Sequence, residues 1–308
     1  MTEYMIGIDI GGTNIRVALL NEQLEIIAKE NTLTSNFMEA DKFLTGIREM
    51  IHKVDPHHNA KGIGIVIPAP WTAGKRTITD VTNIPFIEGL DTATIERYFE
   101  GYPVYLENDV NVIALLESDL GAAKDSNNSI YITVSTGIGS GIIIGNQIHH
   151  GANGYAGEIG SIIISNRILE GEDPMDYTLE NLCSGKALES ISISLYGEGG
   201  TAAELFENYR NGSDKEKDIM VQWMDDLATG LTAVIQVLDP EVIVLGGAVI
   251  VNHKWIIEGL QEKIQKKVFG SLSEKVKLVP AQSDSLSGIM GAAYYALKKI
   301  KGEYQVEK

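Results

Sequence analysis

Cysteine and long apolar runs are both scarce in this chain. Cys183 is the single cysteine among 308 residues, which excludes a disulfide framework within the chain and a cluster of thiolate ligands for zinc. Apolar stretches such as "EVIVLGGAVIV" are far shorter than the roughly 20 residues that span a bilayer. The N-terminal segment lacks the basic and apolar regions of a signal peptide. We therefore expect a cytoplasmic protein in a reducing compartment.

Positive charge is also in short supply. The chain has 25 Lys and Arg against 42 Asp and Glu, and its formal net charge is −17. Nucleic acid and anionic membrane surfaces are therefore not expected as partners. A hydrophobic share of 44% and a charged share of 22% are ordinary for a soluble globular protein. The length allows one large domain or two of ordinary size.

Three glycine-bearing turns follow apolar strands. They lie in "IGIDIGGTNIRVALL", "IYITVSTGIGSGIIIG" and "EVIVLGGAVI". Glycine permits a tight turn, and it also lets backbone N–H groups approach an anion closely. For the first of them, a plain hairpin turn and a phosphate site with a magnesium-binding carboxylate are both open interpretations. A dinucleotide site fits poorly, because the first two turns each lead into another strand.

Strands alternate with helices in both halves of the chain. The spacing of apolar residues predicts helices over 36–53 and 213–238, with Ser213 and Glu216 as a capping box for the second. A helix at about 287–300 is rich in Ser, Gly and Ala, which indicates close packing against a neighbour. The strand–turn–strand pattern recurs at residue 130, and this echo predicts two α/β domains of similar plan.

Eight segments, in order, carry a resemblance to a known family. They are "DIGGTNIRVALL", "GIGIVIPAP", "TNIPF", "PVYLENDVN", "STGIGSGIIIG", "GANGYAGEIG", "LENLCSG" and "DPEVIVLGGAV". Together they resemble the ROK family of bacterial sugar kinases and repressors. The resemblance implies an α/β, two-domain, actin-like ATPase (ribonuclease H-like) fold with a cleft between the domains. We expect a small domain of residues 1–115 plus a C-terminal helix at about 288–308, and a larger domain of residues 116–287.

The resemblance implies a kinase that uses ATP and Mg²⁺ to phosphorylate the 6-hydroxyl of a hexose. Asp109 would be the general base that accepts the hydroxyl proton. The sugar would contact Asn83, Asn108, Asp109, Glu158, Ser161 and Glu180. The phosphates of ATP would lie against Gly11, Gly12, Thr13, Thr136 and Gly137, the adenosine against Gly246 and Gly247, and Mg²⁺ near Asp9 through water.

Simpler interpretations of these residues stay open at the level of sequence. Asn108 and Asp109 are also typical of a helix cap, and Asn83 is typical of a turn. Glu158 could be an exposed loop carboxylate.

The zinc motif of the family is missing. Most relatives carry histidine after "GE-x-G" and then a cysteine set that binds structural zinc. Ser161 stands in the place of the histidine, and the cysteine positions read Gly171, Asp173 and Thr178. The resemblance therefore implies no structural zinc. A serine leaves more room near the anomeric end of the sugar, for a β-glucoside, an N-acyl group or a water.

The remaining candidates for ligands are weak. We expect Pro174 and Tyr177 to order the zinc-less loop by packing, and Cys183 to be a small core residue. The pairs His57-His58 and His149-His150 lack a third ligand at suitable spacing, so we expect surface residues.

Several sugars and two other functions remain in competition. Allose, glucose, β-glucosides and N-acetylmannosamine are the candidate substrates, and family analogy implies a homodimer. A ROK-type repressor would carry a helix-turn-helix domain before the first motif, whereas only five residues precede Ile6. A sugar-sensing regulator without its own DNA-binding domain is the alternative. An acetate-type kinase or chaperone ATPase would not need this set of sugar-binding carboxylates and amides.

Overall fold

The computed structural model describes residues 3–72, 74–81, 83–165 and 168–304, which form two compact units. The first unit contains Met1–Leu116, Gln147–Ala156 and Ser283–Lys308, and the second contains Glu117–Asn146 and Gly157–Gln282. Residues 1–2 and 305–308, the outer limits of the expected small domain, lie outside the described residues.

The strands follow the apolar runs of the sequence. Their bounds are β1 Tyr4–Ile10, β2 Asn14–Asn21, β3 Ile26–Leu33, β4 Ala60–Ile67, β5 Val104–Asn108, β6 Ser129–Val134, β7 Ile138–Ile144, β8 Gln147–Ile148, β9 Val242–Gly246 and β10 Leu278–Pro280.

The helices occupy the stretches between these strands. Their bounds are α1 Ala40–Val54, α2 Thr92–Tyr98, α3 Asp109–Asp119, α4 Leu179–Cys183, α5 Gly185–Tyr196, α6 Ala202–Arg210, α7 Asp214–Leu238, α8 Ala248–Asn252, α9 Trp255–Gln265, α10 Gly270–Ser273 and α11 Ser287–Lys301. Short 3₁₀ turns cover Thr34–Asn36, Pro85–Ile87, Ile159–Ser161 and Pro174–Tyr177.

The sheet of the first unit has the strand order β3-β2-β1-β4-β5. Strand β1 is antiparallel to β2 and parallel to β4. Alternate residues of β1 face opposite layers, as period two requires: Ile6 and Ile8 pack in the cluster that contains Phe43 of α1, whereas Met5 packs in the cluster with Ile289 of α11.

Helix α11 lies unusually close to this sheet. A Cβ atom added to Gly7 would lie 2.1 Å from the carbonyl oxygen of Ile289, and one added to Gly64 would lie 1.8 Å from that of Ala292. Only glycine at these two strand positions admits the helix at this distance. The close packing predicted for the last helix is therefore confirmed.

The second unit repeats the plan of the first. Strand β6 is antiparallel to β7 and parallel to β9, and β9 is parallel to β10. Each unit thus begins with an antiparallel pair around a glycine turn and adds a parallel strand beside the first strand of that pair. The predicted echo between the two halves of the chain is confirmed.

The predicted capping box at the start of α7 is wrong. The Ser213 side chain makes no cap bond to the backbone; its hydroxyl donates to the Glu216 carboxylate instead. That carboxylate is buried and also accepts from the Tyr196 hydroxyl at 2.7 Å. A tertiary contact has therefore replaced the local one. The helix still ends at Leu238, before Asp239 and Pro240.

No helix within the described ranges is both long enough and apolar enough to cross a membrane.

Candidate active site

The first glycine turn is a braced loop between β1 and β2. The Gly11 amide donates to the Asn14 carbonyl at 3.0 Å. Thr34, which directly follows β3, fixes the loop through two hydrogen bonds. Its hydroxyl donates to the Gly11 carbonyl at 2.6 Å, and its amide donates to the Thr13 carbonyl at 2.9 Å. Among the described residues no acceptor is found for the Gly12 and Thr13 amides, and both residues are exposed. The loop therefore presents free donors, as a phosphate site requires.

Asp9 lies beside this loop and is paired across the hairpin. Its Oδ2 atom accepts from Arg16 Nη1 at 2.7 Å, and the two residues face each other in the strand register. Burial raises the pKa of Asp9, while the hydrogen bond and charge of Arg16 oppose the rise. Sequence reasoning missed Arg16, although counting the antiparallel register across the turn would have placed it opposite Asp9.

The donor set at Asp9 fits Mg²⁺ held through water. Carboxylate and water oxygens are the ligands that Mg²⁺ prefers. Residue 288 of α11 is a glycine, so no side chain fills the space beside the Asp9 carboxyl group. A Cβ atom at this position would lie 3.1 Å from the carboxyl carbon of Asp9. Arg16 occupies one oxygen, so Asp9 would act through its other oxygen.

Asn83 lies against the phosphate loop within the first unit. A Cβ atom added to Gly12 would lie 3.2 Å from the Cβ atom of Asn83. The residue is exposed, and the buried Ile84 and the turn Pro85–Ile87 follow it. The structure thus brings together a predicted sugar ligand and a predicted phosphate ligand.

Asn108 ends β5, and Asp109 begins α3. The Asn108 side chain caps the helix: its Oδ1 accepts from the amides of Val110 at 2.9 Å and Asn111 at 3.2 Å. Its Nδ2 donates to the Ala69 carbonyl at 3.1 Å, which uses one of two amide hydrogens. Asp109 Oδ1 also accepts from the Val110 amide at 2.9 Å. The cap interpretation therefore holds for Asn108, and it leaves room for a sugar contact.

The second glycine turn, in the second unit, is tied to Glu180. The Ile138 amide donates to Glu180 Oε2 at 2.8 Å. A Cβ atom on Gly137 would lie 2.4 Å from the same oxygen. The Thr136 carbonyl accepts from the Lys186 amide at 3.2 Å, at the start of α5. A predicted phosphate residue and a predicted sugar carboxylate are again in contact.

Glu158 and Ser161 lie in the same part of the second unit. The Ser161 amide donates to the Glu158 carbonyl at 3.2 Å, across the turn Ile159–Ser161. Burial raises the pKa of Glu158, and negative charge on Glu180 adds to the rise, although Glu158 keeps an exposed surface. The two carboxylates are thus close enough to repel each other. Ser161 is exposed.

The raised pKa of Glu158, caused first by burial and then by Glu180, predicts a pH-dependent gain in stability for Glu158→Gln. A carboxyl group whose pKa is raised on folding binds more protons in the folded state, so the folded protein loses stability as pH rises above the ordinary value of 4.5. The glutamine variant lacks this loss. We expect its melting temperature to exceed that of the native chain by a margin that grows from pH 4.5 upward. A margin that stays constant with pH, in thermal melts without sugar, would contradict the raised pKa of Glu158.

The third glycine turn follows β9. Gly247 has a φ of +85°, and a Cβ atom there would lie 2.3 Å from the Val134 carbonyl oxygen. A Cβ atom on Gly246 would lie 2.6 Å from the Tyr131 hydroxyl. Both glycines therefore pack against β6, whose end leads into the Ser135–Gly137 turn. The residues predicted to contact the adenosine therefore lie against the strand that directly precedes the residues predicted to contact the phosphates.

The loop that lacks the cysteine set is ordered by hydrogen bonds. Asp173 accepts from the Met175 amide at 2.9 Å, and Thr178 caps α4 through the Asn181 amide at 3.3 Å. The Tyr177 hydroxyl donates to Glu172, and its carbonyl accepts from Ile164. Tyr177 therefore orders the loop through hydrogen bonds rather than through the expected packing, and Pro174 is exposed. Over the residues that the structure describes, no group of three His, Cys, Asp or Glu is arranged to hold a metal.

The expectations for the other candidate ligands meet different outcomes. His57 and His58 are exposed, and Cys183 is a buried free thiol whose pKa is raised by burial and then by Asp226. The expectation that His150 is a surface residue is wrong. It is 8% exposed, and its Nε2 atom lies 2.7 Å from Glu107 Oε2.

Comparison with known proteins agrees with this architecture. Two α/β units, each opening on a strand–glycine turn–strand, define an actin-like ATPase fold. The ROK family model matches residues 5–299, so the chain belongs to the ROK family. An N-acetyl-D-glucosamine kinase from Photobacterium profundum is 29% identical over 304 residues, which cover 95% of this chain and 99% of the relative.

Two solved ROK structures are similar along nearly their whole length. The ROK hexokinase from Thermus thermophilus has a TM-score of 0.83 and 29% identity, and the match covers 97% of this chain and 99% of that one. A ROK family glucokinase from Streptomyces griseus, in complex with glucose and AMPPNP, has a TM-score of 0.73 and 25% identity, with coverages of 94% and 98%.

Proposed function

We propose that this ROK protein is an ATP-dependent kinase that transfers the γ-phosphate to the 6-hydroxyl of a hexose or hexose derivative. That the chain is a sugar kinase follows from its family and from relatives of matching length that are named as kinases of sugars. The observation that carries the proposal is the contact between Gly12 and Asn83. It brings a loop with free amide donors against an amide suited to a sugar hydroxyl.

In the proposed reaction, each of these residues has one role. The oxygen of the sugar 6-hydroxyl attacks the γ-phosphorus, the bond from that phosphorus to the β–γ bridging oxygen breaks, and ADP leaves. Asp109 accepts the hydroxyl proton, and the amides of Gly12, Thr13, Thr136 and Gly137 hold phosphate oxygens. Mg²⁺, held through water by Asp9, would neutralise phosphate charge when bound.

Two carboxylates and two amides suit a polyol, which offers donors and acceptors. Asn83 and Asn108 supply the amides, and Glu158 and Glu180 supply the carboxylates. Ser161, smaller than an imidazole, favours a substrate with a bulky group near the anomeric end. Both an N-acetylated hexose and a β-glucoside carry such a group. We rank N-acetylated hexoses first because relatives of matching length are named N-acetyl-D-glucosamine kinases, and place glucose, allose and β-glucosides after them. The proposal includes a homodimer acting in the cytoplasm, which light scattering and cell fractionation can check.

ADP release with MgATP tests the proposal across N-acetylglucosamine, N-acetylmannosamine, glucose, allose, mannose, fructose and cellobiose. We expect turnover on at least one hexose and none on its 6-deoxy analogue, since that analogue lacks the accepting oxygen. Phosphorus–proton NMR of the product should place the phosphate on O6. Sugar binding without turnover on any substrate would replace the kinase with a sugar-sensing regulator.

A further inference from the structure

Glu107 is a fully buried carboxylate directly before the Asn108-Asp109 pair. It is 0% exposed. Its Oε1 accepts from the Asn108 amide at 2.9 Å and from Asn111 Nδ2 at 3.0 Å, and its Oε2 lies 2.7 Å from His150 Nε2. Since the carboxylate is the acceptor, the pairing requires that Nε2 carry the hydrogen. A buried carboxylate is tolerated only when it is satisfied in this way.

Helix α11 supplies the rest of its surroundings. Burial and then the negative charge of Glu107 raise the pKa of Tyr295, so its hydroxyl stays neutral. Burial lowers the pKa of Lys299, and Glu107 opposes that fall. Lys299 Nζ also lies 4.5 Å from the ring centre of Tyr304. Glu107 therefore joins β5, the first turn of α3, α11 and the segment that contains His150, and all of these parts belong to the first unit.

The segment 150–156 is itself held tightly. The Ala156 amide donates to the His150 carbonyl at 3.1 Å. A Cβ atom on Gly154 would lie 2.8 Å from the Trp71 carbonyl oxygen, so the segment packs directly on the chain after β4. In sequence it leads to Glu158. The Glu107–His150 bond thus ties the strand end that carries Asp109 to the segment that leads to another proposed sugar ligand.

We propose that Glu107 and His150 are a positioning pair for phosphoryl transfer. Neither is assigned a contact with the sugar; Glu107 fixes the Asn108 peptide, and through it the Asp109 carboxylate. Proton transfer is sensitive to such placement, because a displacement of about 1 Å can lower a rate roughly 100-fold. Sugar affinity is spread over several ligands and should change less. The inference rests on the proposed kinase activity.

Variants of both partners test the pair. Glu107→Gln keeps the shape and removes the charge, and His150→Leu removes the donor. We expect each to lower kcat by about ten- to 100-fold, with the KM for the sugar changed less than about threefold. His150→Gln can still donate an N–H to Glu107, so it should recover most of kcat. Once the pair is broken, Glu107→Gln combined with His150→Leu should lose no more than the worse single variant.

Asp55 supplies the matched control. It is 2% exposed and accepts from the amides of Asn59 and Ala60 at 2.8 and 2.9 Å, and from the Tyr102 hydroxyl at 3.1 Å. Asp55 lies before the N-terminal end of β4, whereas Asp109 follows the C-terminal end of β5. Because β4 and β5 are parallel neighbours, the two residues lie at opposite ends of these strands. Asp55→Asn should lower the melting temperature and leave kcat unchanged.

The outcomes separate this inference from the function on which it rests. If the native chain phosphorylates no sugar, the proposed function fails, and the pair has no reaction to position. If the native chain is active and folded Glu107→Gln and His150→Leu stay within twofold of its kcat, the positioning role alone is overturned. A loss of kcat that follows melting temperature equally in Asp55→Asn would also overturn it. If Glu107→Gln does not fold, the two His150 variants decide.

Discussion

Replacing Asp109 by asparagine is expected to lower kcat by about 10²–10⁴-fold, which is the usual contribution of a positioned general base. This range corresponds to roughly 3–5 kcal/mol of activation free energy. Asparagine keeps an oxygen that can accept from the Val110 amide, now 2.9 Å from Asp109 Oδ1, so the start of α3 is preserved. It cannot take up the proton of the sugar hydroxyl. Sugar affinity, measured by calorimetry, should change little.

A control must separate the lost base from a weakened helix start. Asp91 is the N-cap residue of α2 in the same unit, and its Oδ1 accepts from the Thr94 amide at 2.8 Å. Asp91→Asn makes the same chemical change at a helix N-terminus and should leave kcat unchanged. If Asp109→Asn retained more than about a tenth of native kcat, its loss would fall below the range for a general base, and Asp109 would be only a helix cap.

Local patterns in the sequence predicted most of the fold. The β1–β2 and β6–β7 pairs and the helix α7 are each encoded within a short window, by apolar periodicity and by Gly or Asp-Pro boundaries. Helix α1 begins at Ala40 rather than near 36, because Thr34–Asn36 first forms a 3₁₀ turn. Such shifts of a boundary arise where several local conformations are close in energy.

Contacts between distant residues could not be predicted in the same way. Glu107 and His150 are 43 positions apart, and their meeting depends on how the chain returns to the first unit after β7. The capping box failed for a related reason. Tyr196 of α5 bonds Glu216, so a partner outside the local window decides where that side chain lies.

The two side-chain caps of the loop without the cysteine set could have been predicted from the sequence, although they were not. Asp173 precedes Pro174 and accepts from Met175, and Thr178 accepts from Asn181 three positions later. Both are the usual short-range cap patterns of Asp and Thr. These two caps give the loop local order at the positions where the family's cysteine set is replaced.

Gly137→Ala is expected to raise the KM for the sugar by about ten- to 100-fold while the fold is kept. The added Cβ would lie 2.4 Å from Glu180 Oε2, which is too close for any real contact. This oxygen is the end of a flexible side chain, so the clash is relieved when the carboxylate turns away. That movement breaks its 2.8 Å bond from the Ile138 amide. The displaced carboxylate also loses its proposed hydrogen bond to the sugar. A hydrogen bond to a charged group contributes about 1.5–3 kcal/mol, which is roughly one to two powers of ten in sugar affinity.

The same carboxylate should account for the whole effect. Glu180→Gln should therefore weaken sugar binding by a similar factor, and the double variant should lose less than the product of the two single losses. Gly270→Ala is the matched control in the second unit, because a Cβ atom there meets nothing within 4 Å, and it should leave KM unchanged. If Gly137→Ala changed the KM for ATP but not that for the sugar, Glu180 would serve the glycine turn alone.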